Sequence, residues 1–133
     1  MEKFIIAFAS NDGEQFNVEH FGDSNYYHIY EINEVEATFI KTIENNTKNI
    51  VEEVHADPNK ANGVSKMLKN HGVKVVVSKV FGPNIKRINK KFVCIIFKNS
   101  NLQESIIAVK DYFLKVHDHF VLKIAFEYCA LAI

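Results

Sequence analysis

Apolar positions along this chain group into runs of two kinds. Lys3 to Ala9 and Val73 to Val77 are almost continuously apolar, the pattern of strands covered on both faces. Turn signals stop both, Ser10-Asn11-Asp12-Gly13 after the first and Gly82-Pro83 a few residues beyond the second. Tyr26 to Ile32 reads as another strand, and beyond Asn33-Glu34 the residues Ala37, Phe39 and Ile43 fall on one face of a third. These three predict an antiparallel meander. Residues 44 to 56 are polar and irregular, after which Asp57-Pro58 opens a helix with Ala61, Val64, Met67 and Leu68 on its apolar face and Gly72 at its close. A short helix carrying Ile85 and Ile88 follows Gly82-Pro83, and Phe92 to Phe97 is a fifth strand. Ser100-Asn101-Leu102-Gln103 has capping-box spacing, and Leu102, Ile106, Val109, Phe113 and Val116 recur at steps of four and three, which predicts an amphipathic helix.

The order β-β-β-α-β-α-β-α, wound with right-handed crossovers, predicts an α/β fold with a five-stranded mixed sheet of order 3-2-1-4-5 and helices on both faces. Strand one is then the switch point, where ligands of open α/β sheets sit beyond the carboxyl ends of the strands. Three loops meet there, residues 10 to 25, 44 to 57 and 78 to 83.

Composition sharpens this picture. Ile and Val number 29 against 5 Leu, with 11 Phe, a bias toward sheet. At 133 residues and 47% apolar content the chain suits one domain with a full core. The net charge of zero conceals a division: residues 1 to 60 hold 12 acids and 4 bases, residues 61 to 133 hold 4 acids and 12 bases. An acidic half of equal strength opposes nucleic acid as a partner. Cys94 and Cys129 are too few and too far apart for a disulfide framework or a four-thiolate zinc site. The N-terminal apolar run is too short for a membrane span and lacks a signal-peptide cleavage pattern, so a cytoplasmic protein without membrane association is expected.

The first loop holds Glu19-His20-Phe21-Gly22-Asp23-Ser24, followed by Tyr27-His28-Ile29-Tyr30-Glu31-Ile32. With Ser10 and Asp12-Gly13, Gly63 and Leu68, His71-Gly72-Val73 and Gly82-Pro83, it resembles the dinitrogenase iron-molybdenum cofactor biosynthesis family, the NifX, NafY and NifB C-terminal type of domain. The resemblance spans roughly residues 3 to 110. It implies a ribonuclease H-like, three-layer fold, with a domain of this type over residues 1–116 and an apolar C-terminal extension over 117–133. That extension either completes the same domain or forms a contact in a homo-oligomer. The implied role is non-catalytic: binding or carrying an iron-sulfur or iron-molybdenum cluster or its precursor between donor and acceptor proteins. The alternative is a cofactor-free protein-interaction module of the same fold. The chain departs from the family where Ser78-Lys79-Val80 stands in place of a frequent glycine.

His20 is the leading metal ligand, because an imidazole coordinates iron or molybdenum and Gly22 leaves space beside it. The plainer reading is a ring that pins the loop. His55 could reach the same edge from the second loop. Ser10, Asp12, Phe21 and Gly22 join His20 as candidate cofactor contacts. Gly82, Pro83 and Asn84 open a helix whose first amides could hold an anion, with Lys79, Lys86 and Arg87 nearby, although a solvated basic face explains the charges as well. His28 reads as a strand residue and His71 as a helix-end residue. His117 and His119 could share a metal only in an extended segment. A two-metal nuclease needs carboxylates converging from the strands, and the first and fourth strands carry none.

Overall fold

The computed structural model describes residues 2–47, 58–125 and 130–133. Strands β1 (Phe4–Ala9), β2 (Tyr26–Ile32) and β3 (Ala37–Glu44) form the meander. Helix α1 (Pro58–Asn70) crosses to β4 (Val75–Ser78), and the short α2 (Ile85–Asn89) leads to β5 (Val93–Ile96). Two helices, α3 (Leu102–Asp111) and α4 (Phe113–Ala125), then return the chain to β6 (Leu131–Ala132). The sheet order is β3-β2-β1-β4-β5-β6, with β1, β4, β5 and β6 mutually parallel.

Central position explains the continuous apolar runs. Every residue of β4 is buried, and β1 is buried at all but Ile5. On one face Phe4, Ile6, Phe8, Val75, Val77, Val93 and Ile95 pack with α3 and α4; on the other Ala7, Ala9, Val76 and Cys94 pack with α1 and α2. Helices therefore cover both faces. Ala7 and Ala9 are small, and the bulky rings of Phe21, Tyr27 and Phe81 share their cluster. The predicted stripe Leu102, Ile106, Val109, Phe113 and Val116 is buried throughout. The helix it belongs to is interrupted at Tyr112, whose φ of −98° and ψ of 23° separate α3 from α4. Among the described residues no helix is long and apolar enough to cross a membrane.

Three expectations are corrected. The sheet has six strands rather than five, because the end of the apolar tail pairs with β5 through Ile95↔Leu131 and Ile96↔Ala132. Leu131 thereby enters the core and covers what would otherwise be an open parallel edge. Next, Ile43 does not share a face with Ala37 and Phe39. A register shift between Ile29 and Tyr30 places Lys41 opposite Ile29 and Phe39 opposite Tyr30, so Ile40 is the extra residue of a bulge and the strand changes face there. Ala37 packs on the α3/α4 side, Ile43 on the α1/α2 side. Finally, the cap of α3 is Asn101, whose side chain accepts from the Glu104 amide; Ser100 is engaged elsewhere.

The sheet order also separates the charge. Residues 1 to 60 supply β1 to β3, and the basic half supplies β4 to β6.

Candidate functional site

The first loop is folded by its own short polar side chains. Ser10 Oγ donates to the Gln15 carbonyl and accepts from the Gly13 amide at 2.9 Å. Asp12 Oδ1 accepts from the Glu14 and Gln15 amides at 2.8 and 2.9 Å, and those bonds hold its carboxyl below the usual carboxylate range. Gly13 sits at φ 79°, a conformation that favours glycine. The loop is tied to the start of α3 by Phe16 N–H to the Ser100 carbonyl and Leu102 N–H to the Glu14 carbonyl, both 2.9 Å. Ser10 and Asp12 thus shape the loop.

His20 precedes a single 3-10 turn, Phe21–Asp23, which is held from below and from the side. The Phe21 ring is buried, stacked on Phe81 at 5.1 Å and tilted against Tyr27 at 5.0 Å. Tyr27 Oη donates to the Phe21 carbonyl at 2.6 Å, and full burial raises the phenol's pKa far above its ordinary value. Asn45 completes the clamp. Its Nδ2 donates to the Gly22 and Ser24 carbonyls, both at 2.9 Å, while its Oδ1 accepts from Thr47 N–H and Oγ1. Asn17 Nδ2 donates to the His20 carbonyl at 3.3 Å. Phe21 is therefore an anchor for the loop, and Gly22 is the backbone held by Asn45.

The third loop meets His20 directly. Gly82 has φ 79°, and a Cβ built on it would stand 2.4 Å from both Cγ and Nδ1 of His20 and 2.9 Å from Cδ2. The imidazole lies on the Gly82 backbone. Its Nδ1 is 4.0 Å from Asp23 Oδ2, its side chain is 44% exposed, and its Nε2 makes no hydrogen bond among the described residues. The ring is fixed at its root and open at its tip.

Other candidates are placed apart from this contact. Lys79 Nζ donates to Ser100 Oγ at 2.8 Å. Asn84 Oδ1 accepts from Arg87 Nη1 at 3.1 Å, and the Ile85 and Ile88 amides turn back to the Gly82 and Asn84 carbonyls. Helix α2 has only five residues, and Pro83 is exposed beside it. His55 lies outside the described residues, as does Cys129. His28 lies on β2 under Gly13, with Nδ1 2.9 Å from Thr42 Oγ1; burial lowers its pKa, against upward pulls from the Ser10 backbone and Asp12. His117 and His119 lie on α4, where a spacing of two does not bring side chains together. Among the described residues, no group of three His, Cys, Asp or Glu could hold a metal ion.

A family model described as dinitrogenase iron-molybdenum cofactor matches residues 2–112. The chain belongs to that family. The span matched by this dinitrogenase iron-molybdenum cofactor family contains the whole His20 and Gly82 contact together with its clamp. No curated protein matches the chain. Family membership connects the protein to handling of the iron-molybdenum cofactor. The clamp residues Asn17, Asn45 and Thr47 carried no sequence signal of their own, since buried polar residues have no periodicity, whereas Tyr27 stood in the run that carried the family resemblance.

Proposed function

We propose that this protein is a non-catalytic carrier that binds an iron-sulfur or iron-molybdenum cluster, or a precursor of one, and passes it between donor and acceptor proteins. The observation that carries the reading is the His20 imidazole, braced at its root by Gly82 and open at Nε2. A neutral imidazole nitrogen is a competent ligand for iron, and a braced ring loses little rotamer freedom when it coordinates. One protein ligand suits temporary holding, because resident metal sites take three or four. The cluster would arrive with its other positions already filled by its own sulfides or by ligands that leave with it. Ser10, Asp12, Phe21, Asn45 and Gly82 act as the frame that aims the ring. We read the protein as cytoplasmic and its fold as ribonuclease H-like; the order and directions of β1 to β5 support the latter.

Anaerobic incubation with a reconstituted cluster, followed by desalting, absorbance and iron analysis, tests this. Wild-type protein should retain cluster in a stoichiometric amount, and His20→Ala should lose most of it while keeping the native circular dichroism spectrum. Equal retention by His20→Ala removes His20 as a ligand, and no retention by either protein removes the carrier reading.

A further inference from the structure

The opposite edge of the sheet, at the amino ends of β4 and β5, carries a feature that the cluster reading does not use. A cavity of about 330 Å³ opens there, lined by Lys69, Lys74, Lys90, Lys91, Phe92 and Phe120 among others. Three segments deliver the four lysines to one mouth: the last turn of α1, the residue before β4, and the two residues after α2 that lead into β5. Among the described residues no acidic side chain lines the cavity and none of the four lysines forms an ion pair. Lys91 Nζ donates to the neutral Asn62 Oδ1 at 3.1 Å, which orients its charge without cancelling it. Lys69 Nζ stands 4.7 Å over the centre of the Phe92 ring. Burial lowers its pKa, and the charges of Lys74 and Lys91 lower it further. A cation at a helix C-terminus is favourable, which accounts for Lys69 on α1 and Lys90 on α2. It does not account for Lys74 and Lys91, which add repulsion.

We propose that this cavity is an anion site for a linked di- or triphosphate group, free or carried by a nucleotide. Two linked phosphates bring roughly −3 or more, a close match to four ammonium groups at one mouth. Lysine binds phosphate as a point charge and needs no planar fork, so the flexible side chains can close around a compact polyanion. Phe92 and its neighbour Val93 are almost fully buried, so the site selects by charge more than by apolar area. It lies at the far end of the strands from His20, so its occupancy and cluster retention are separate properties.

Calorimetric titration of the full chain at low and high salt tests the proposal with orthophosphate, pyrophosphate, tripolyphosphate and a nucleoside triphosphate. Pyrophosphate and tripolyphosphate should bind at least tenfold more tightly than orthophosphate, with affinity falling steeply as salt rises. A nucleotide that equals tripolyphosphate identifies the phosphates alone as the determinant, whereas a tighter nucleotide adds a base contact at the cavity. The double variant Lys74→Gln with Lys91→Gln should lose tenfold or more. It should also melt no lower than the parent without ligand, because it removes like-charge repulsion; Lys86→Gln, outside the cavity, and His20→Ala should bind as the parent does. Equal affinity for orthophosphate and pyrophosphate overturns the proposal, as does a folded double variant that binds pyrophosphate unchanged.

Discussion

Substituting Gly82 with alanine probes the contact between the third loop and His20. Two costs follow from the geometry. Alanine at φ 79° enters the left-handed region, at about 1–2 kcal/mol. Its Cβ would also stand 2.4 Å from Cγ and Nδ1 of His20. Cγ lies on the axis about which the ring turns, so ring rotation does not clear it; the rotamer or the loop must move, and overpacking of this kind costs about 1–3 kcal/mol. Gly82→Ala should therefore destabilise by about 2–5 kcal/mol. A double-mutant cycle separates the terms. With His20→Ala in the background the clash disappears and only the backbone cost remains, so the coupling between positions 20 and 82 should be at least about 1 kcal/mol. Urea denaturation followed by circular dichroism measures it, and each 1 kcal/mol lowers the Tm by roughly 3–5 °C in a chain of this size. In the cluster assay Gly82→Ala should reduce retention, since it displaces the ring it supports. A coupling of zero, with Gly82→Ala equally harmful in both backgrounds, would refute the claim that the imidazole rests on this glycine.

Asn45→Ala should unfold the clamp without touching the imidazole: it leaves the half-buried Gly22 and buried Ser24 carbonyls without their donor, a loss of about 2–4 kcal/mol that denaturant titration reads directly. Its cluster retention should fall as well, and undiminished retention in a folded Asn45→Ala protein would show that the loop needs no such frame. His28 gives a pH signature. Its folded pKa lies below the ordinary value, so the unfolded chain binds more protons below about pH 6.5 and stability falls as pH drops through that point. His28→Gln should flatten the stability profile below about pH 7, and an imidazole proton titration by NMR should place the folded midpoint below that of a free histidine.

The sequence by itself determined the central strands, the crossover helices and the order of the first five strands, because burial on two faces leaves a continuous apolar run, burial on one helical face leaves a period, and crossovers are right-handed. It also singled out His20 and Gly82, each by local chemistry, an imidazole beside glycine and a Gly-Pro turn. That the two touch was decided only in three dimensions, since residues 62 positions apart meet only when β1 and β4 lie side by side. The bulge at Ile40 reversed the facing of Ile43, because strand alternation is lost wherever one extra residue enters a ladder. The tail showed its need for burial in its composition, but its strand of two residues is too short to leave a pattern and exists through pairing with β5. Asn45 and the lysine cavity are tertiary creations for the same reason: polar side chains carry no period, and only the packing of separate segments sets a carbonyl pair beside one amide or four ammonium groups around one mouth.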